Sequence, residues 1–310
     1  HHIRNTRMIN VGIAGRFKLE AVNEETGERR ELTPWFNNLI TDQGLNRLGT
    51  GGIHSNGAFC MAGTGSAPPA TTDTALASQL AVTSTVLSTT NSGRASAPYY
   101  GSITLVYRFA AGSATGNLTE LGIGYTSTEV FSRTLIKDGS GNPTTITVLS
   151  TEALDVTYEL RLYPPAADVV HSTVISGVTY TGVIRASGVT SFVVNGDWAP
   201  STSMSTLLAR GGRAPEAYSG AIGAVTGSPS GSSATINDCV TAAYSNNSYQ
   251  RTGTTTVGLS QGNLAGGITA IRILTSAMGA YQISFSPAIP KDATKVLTFG
   301  LTLSWARAAI

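Results

Sequence analysis

A strand ending that occurs twice constrains this 310-residue chain more than any other feature. Residues 121–163 read LGIGYTSTEVFSRTLIKDGSGNPTTITVLSTEALDVTYELRLY, and residues 268–307 read ITAIRILTSAMGAYQISFSPAIPKDATKVLTFGLTLSWAR. Each passage runs from an apolar β-type stretch into a strand containing an aromatic residue. Each then turns, through Ile136-Lys137-Asp138 or Ile289-Pro290-Lys291-Asp292, and closes on a long strand alternating large and polar residues. Period-two alternation sends one set of side chains into a core and the other set away from it. The repetition predicts two β domains built alike, as after an internal duplication.

Further strands are expected across residues 9–22, 32–36, 82–89 and 99–109, where apolar and polar residues alternate or β-branched residues cluster. Residues 37–48 place Leu39, Ile40, Leu45 and Leu48 at helical spacing, weakened by Gly44, and predict a short helix on one end of a sheet. Thr72 or Asp73 is expected to cap a helical turn over 72–80, and residues 203–210 are a second short helical candidate. Pro164-Pro165 cannot donate to a strand ladder, so the division is set there. The expected organisation is an all-β chain with a few short helices: two β-sandwich or jelly-roll-like domains, 8–165 and 166–310. The opening HHIRNTR reads as the remnant of a purification tag.

Charged residues make up only 12% of the chain, against ~25% in ordinary soluble domains, while 41% of residues are hydrophobic. Without Arg4 and Arg7 the formal charge of +2 becomes zero, 18 basic against 18 acidic residues. A basic surface for phosphate backbones is therefore not expected, and no nucleic-acid role follows. A low-charge face rich in Ser, Thr and Gly suits a protein covered by copies of itself. No apolar run reaches the ~18–20 residues of a spanning helix, so no membrane insertion is expected. Cys60 and Cys239 lie far apart in the chain and are expected to be two buried thiols.

Catalytic signals are sparse. His54 and His171 fall in different halves with no metal-ligand spacing, so neither a metal nor a cofactor is expected. No G-x-S-x-G elbow precedes a helix. A glycosidase needs two carboxylates, and Glu120, Glu129, Glu152, Asp155 and Glu159 are the candidates. In alternating strands these read as solvent-facing partners of Arg133 or Arg161, and residues 166–310 carry only five acidic residues. The chain is not expected to be an enzyme.

Trp35 and Trp305 are expected in cores. Trp198, in Asn195-Gly196-Asp197-Trp198, lies in a turn, where an indole flanked by Asn and Asp can stack on a sugar face. Tyr244, Asn246, Asn247 and Tyr249 form a second polar-aromatic patch. Residues 219–234, almost all Gly, Ser, Ala and Thr, predict a flexible exposed loop. The candidate contact residues are therefore Asn195, Asp197, Trp198, Tyr244, Asn246, Asn247 and Tyr249.

Two stretches resemble tail proteins of tailed bacteriophages. One is Pro34-Trp35-Phe36-Asn37-Asn38-Leu39-Ile40-Thr41-Asp42-Gln43-Gly44-Leu45, followed by Met61-Ala62-Gly63-Thr64-Gly65, Pro68-Pro69 and Thr72-Asp73-Thr74-Ala75-Leu76. The other is Glu120-Leu121-Gly122-Ile123-Gly124 with Phe131-Ser132-Arg133-Thr134-Leu135-Ile136-Lys137. The likeness spans roughly residues 9–163 and, through the Pro-Lys-Asp turn and last strand, 266–307; nothing in 169–264 matches. It implies a virion component of the tail tip, baseplate or fibre, made in the host cytoplasm. It implies a homo-oligomer, commonly a trimer, that contacts other phage tail proteins and a bacterial surface polysaccharide or pilus. A structural connector or capsid-decorating protein and, more weakly, a polysaccharide depolymerase are the alternatives. No heptad or G-x-Y run encodes a long shaft here.

Overall fold

The strand that opens the chain sits in the middle of its largest sheet. In the computed structural model, which describes residues 2–3, 8–189, 197–198, 207–208 and 213–309, the strand Met8–Asn23 pairs antiparallel, from Gly12 to Asn23, with the whole of Glu152–Tyr163. Its other edge is divided. Met8–Ile13 runs parallel to the closing strand, Leu297–Arg307, and Arg16–Val22 turns back against Arg29–Asn37. Residues 2–3, expected to be tag, pair in parallel with Thr298 and Phe299 and extend the same line.

Around this strand the two halves of the chain repeat one topology. On one side the large sheet continues through Glu152–Tyr163, Tyr100–Phe109 and Val86–Arg94; on the other it continues through Leu297–Arg307, Gln250–Val257 and Asp238–Thr241. The first half has a smaller sheet ordered Leu39–Ile40, Val130–Leu135, Glu120–Gly124, Phe59–Gly63, Gln79–Thr83. In the second half the corresponding order is Val178–Ser187, Ala280–Ile289, Ile268–Thr275, Glu216–Tyr218, Ser233–Thr235, with Val169–Ile175 added outside. Each repeated strand ending is thus an antiparallel hairpin in a small sheet followed by a strand of the large one. The chain is all-β with few helical turns, as the alternation predicts.

Two independent cores do not result. One continuous set of buried side chains includes Ile9, Val11 and Phe17 from the opening strand, Leu154–Leu162 from the first half, and Ile271, Tyr281 and Leu303 from the second. The division expected at Pro164-Pro165 falls in the connection between two strand sets but does not separate the sheets, because the last strand needs the first as its neighbour.

Local expectations fare unevenly. Asp42–Leu48 is a helix whose Thr41 hydroxyl accepts the Gly44 N–H at 3.0 Å. Gly44 is required by contact: a Cβ there would stand 2.0 Å from the Phe131 carbonyl oxygen. The helical turn expected at 72–80 is absent; Asp73 instead accepts the Ala70 N–H and the Arg133 guanidinium, and a strand starts at Gln79. The single strand expected over 82–89 is two, in different sheets, joined by Ser84-Thr85. Leu207-Leu208, in the other helical candidate, pairs as strand with Leu274 and Thr275. Cys60 is buried and free, its thiol pushed up by burial to a value far above the ordinary range, whereas Cys239 is only half-buried.

Candidate functional site

The residues expected to meet a partner fall at the seam between the two halves, and most of them are occupied there. Trp198 has no exposed surface. Its indole N–H donates to the Ser187 carbonyl at 2.9 Å, and its ring meets Tyr281 edge-on at 5.5 Å between centroids. Gly101 of the first half and Gly279 of the second lie against it so closely that a Cβ on either would stand 2.3 and 2.5 Å from its atoms. An indole in a turn can fold inward as readily as outward, and here glycines on both sides leave the space for it. Trp198 is therefore a core residue that joins the halves, not a sugar platform.

Asp197 is likewise interior, 3% exposed, and its two carboxylate oxygens take Arg213 at 3.0 Å and Arg272 at 3.1 Å. A desolvated guanidinium such as that of Arg272 is stable only beside a negative partner. Asn195 lies outside the described residues.

The second patch is braced on the first half. The Tyr244 hydroxyl donates to Asn46 Oδ1 at 2.9 Å, the Asn247 N–H donates to the same oxygen at 2.6 Å, and the Tyr244 ring stacks on Trp305. Arg251 reaches the Gly49 carbonyl, Trp305 Nε1 donates to the Leu45 carbonyl at 2.7 Å, and the Tyr249 carbonyl accepts the Trp305 N–H. Two of these bonds satisfy carbonyls, of Leu45 and Gly49, at the C-terminal end of the helix Asp42–Leu48 and the turn after it, where helical partners are lacking, and two hold the Asn46 side chain there. Asn247 and Tyr249 hold positive φ angles of 61° and 50°, a conformation non-glycine residues adopt only when the surroundings impose it. Of the six expected contact residues that are described, only Asn246 and Asn247 have exposed side chains, at the tip of this braced loop.

Two other surfaces depart from expectation. The Gly/Ser-rich stretch 219–234 is pinned: the fully buried Gln282 amide donates to the carbonyls of Ala186, Gly223 and Ala224 and accepts the Gly223 N–H. Ladder bonds from Ser219 N–H to the Ser232 carbonyl and from Ser230 N–H to the Ala221 carbonyl close it as a narrow excursion. Sequence reasoning missed Gln282, whose only signal was a long amide between Tyr281 and Ile283 in the first, apolar part of its strand. Trp35, expected inside, is 38% exposed and lies under the Arg16 guanidinium at 4.1 Å.

One more surface stands out, on two strands that carry no motif. The twenty residues 74–93 carry no charge. They form Gln79–Thr83, the edge of the small sheet, and Val86–Arg94, the edge of the large sheet, one after the other. Leu80, Val82, Val86 and Leu87 are each 39–49% exposed, and eight of the nine residues of Val86–Arg94 are exposed, on both faces of the strand. Edge strands normally carry charge, proline or a cover against further pairing, and these two carry none of the first two along their interiors.

All the candidate acid-base carboxylates but Glu129 pair with arginines as expected but do not face solvent: Glu120, Glu152, Asp155 and Glu159 are all buried, because the strands that carry them are covered on both faces. Glu120 is fully buried, bonded to Arg133 at 3.0 Å and to the N–H groups of Gly65, Ala77 and Ser78. Asp155 holds Arg108 at 2.7 Å and Arg29, Glu159 holds Arg16 and Arg161, and Glu152 holds Arg30 at 2.8 Å. Glu129 accepts from Thr126 in a turn. Among the described residues no three His, Cys, Asp or Glu side chains converge as metal ligands, and no helix is long and apolar enough to cross a membrane.

Comparison with known proteins adds no relative: no family model, no curated protein and no solved structure matches this chain.

Proposed function

We propose that this chain is a self-associating structural component of a bacteriophage tail, at the tip, baseplate or fibre, that helps bind the host surface. One observation carries the assembly reading: two consecutive strands, uncharged up to Arg94, form the edges of different sheets, and among the described residues no strand pairs with their outer sides. Such a rim suits edge-to-edge addition of another copy, whose strands continue both sheets. The phage assignment rests on the motif resemblance in 34–76 and 120–137 and on nothing else. Host contact would fall to rim loops such as the one bearing Asn246 and Asn247, since Trp198 and Asp197 are spent inside.

Light scattering on the purified protein tests the assembly reading. The expected result is an oligomer at micromolar concentration that Leu87→Lys with Thr89→Lys converts to a folded monomer. A wild-type monomer, or an oligomer indifferent to both lysines, overturns it. Adhesion to whole host cells that Asn246→Ala with Asn247→Ala leaves unchanged removes the loop from the contact.

A further inference from the structure

The repeated Lys-Asp turn has two different fates. In the first copy Lys137 extends to the Asn37 carbonyl at the surface. In the second, Lys291 is 5% exposed, and burial lowers its tendency to hold a proton. Its ammonium donates to Asn263 Oδ1 at 2.8 Å and to the Asp292 carbonyl at 2.9 Å, which uses two of three N–H bonds. Both acceptors are neutral. The Asp292 carboxylate turns instead to Lys295 at 2.8 Å and to Thr294. Lysine is almost never this buried without an anion in direct contact.

Lys291 lines a concavity of about 340 Å³ between the hairpin turn at Ser176-Gly177 and the segment leading into the closing strand. Ile175, Val178 and Tyr180 form one wall, and Ile289 and Leu297 the other. Val178 and Val296, 45% and 42% exposed, make an apolar entrance beside Lys295. The volume falls at the small end of ligand pockets, ~300–1,000 Å³, and the mixture of apolar walls with one fixed polar group is the usual composition of such pockets.

We propose that this concavity binds a small organic carboxylate with an apolar body. The body lies between the two walls, and one carboxylate oxygen accepts the third Lys291 N–H. A compact ammonium, unlike a guanidinium fork, offers a single point contact, which suits a carboxylate attached to a larger apolar group. Lys295 stands at the rim and adds attraction without a fixed bond. The inference does not depend on assembly or on phage origin, and a monomer that binds such a ligand leaves it standing.

Titration calorimetry on the full chain with benzoate, benzyl alcohol and inorganic phosphate tests it. Benzoate is expected to bind at least ~10-fold more tightly than benzyl alcohol, the margin of one charge-assisted hydrogen bond, and phosphate is expected not to displace it. Lys291→Met should erase that margin while leaving the alcohol's weak binding in place. Val178→Trp, a change at an exposed position that fills the mouth, should remove both ligands without disturbing the lysine. The proposal is overturned by equal affinity for acid and alcohol, by phosphate competing as well as benzoate, or by benzoate binding that survives Val178→Trp.

Discussion

The two strands flanking the opening strand hold equivalent places in the repeated topology, yet the outward face of one is charged and that of the other is not. Along Glu152–Tyr163 the outward side chains are Ala153, Asp155, Thr157, Glu159 and Arg161; along Leu297–Arg307 they are Thr298, Gly300, Thr302, Ser304 and Ala306. In the first half, charges face one another across the ladder: Asp155 is opposite Arg108, and Glu159 opposite Arg16. In the second, hydroxyls do: Thr252 and Thr302 meet at 2.9 Å, Thr256 and Thr298 at 3.4 Å. Inward, both strands alternate large apolar residues, Leu154, Val156, Tyr158, Leu160 and Leu162 against Leu297, Phe299, Leu301, Leu303 and Trp305. The fold is set by the inward pattern, and cross-strand pairing accepts either ionic or hydroxyl partners at similar small gain.

Both halves also bury one arginine with carboxylate support, and removing that support should have the largest effects. Glu120→Ala leaves Arg133 with Asp73 as its carboxylate partner but strands three backbone N–H groups and a buried N–H of the guanidinium, so a loss of about 5 kcal/mol is expected in urea unfolding. Trp198→Ala should cost about 4 kcal/mol, since it empties the space between Gly101 and Gly279, with Trp198→Phe recovering much of it. A Trp198→Ala protein as stable as wild type would return that indole to the surface. Asp197→Ala should cost about 3 kcal/mol, less than Glu120→Ala because Arg213 remains half in solvent. Equal losses at Glu120 and Asp197 would erase the distinction between the two clusters.

A smaller contrast is expected in acid. Burial works to raise the Glu152 carboxyl, but bonds from Arg30 and the Leu149 N–H, with the charge of Arg30, outweigh it and hold the group below its ordinary value. A carboxyl held low in the folded state stabilises fully above its unfolded value, near 4.5, and loses that contribution as pH falls through the folded one. Glu152→Gln should therefore flatten the decline of the urea midpoint below about pH 4.5. An unchanged slope would show that Glu152 does not take part in acid unfolding. Least of all, Thr252→Val with Thr302→Val should shift stability by under ~1 kcal/mol. A larger loss would make the hydroxyl ladder of the second half more than a substitute for the ionic one.

How far these features could be read in advance depended on their range along the chain. The hairpins at 120–135 and 268–289 and the long strands after them are local patterns, visible as alternation and turn residues. The pairing of Arg133 with Glu120 also followed, because both lie on neighbouring strands of one hairpin. Trp198 and Gln282 did not. Nothing near Asn195-Gly196 indicates that Gly101, almost a hundred residues earlier, leaves room for an indole, and nothing near Gln282 indicates that it will hold 219–234 in place.

By itself the sequence determined that the chain is β throughout, that its strand endings repeat, and that its surface is poor in charge, since these follow from side-chain period and composition. Tertiary structure alone decided that the first and last strands share a sheet, that both halves enclose one core, and that Gln79–Thr83 and Val86–Arg94 end their sheets as edges. Those outcomes depend on which strand edges meet, and backbone hydrogen-bonding groups are the same at every residue except proline. A strand's partner is therefore chosen by the packing of faces brought together from distant parts of the chain, and no local pattern records it.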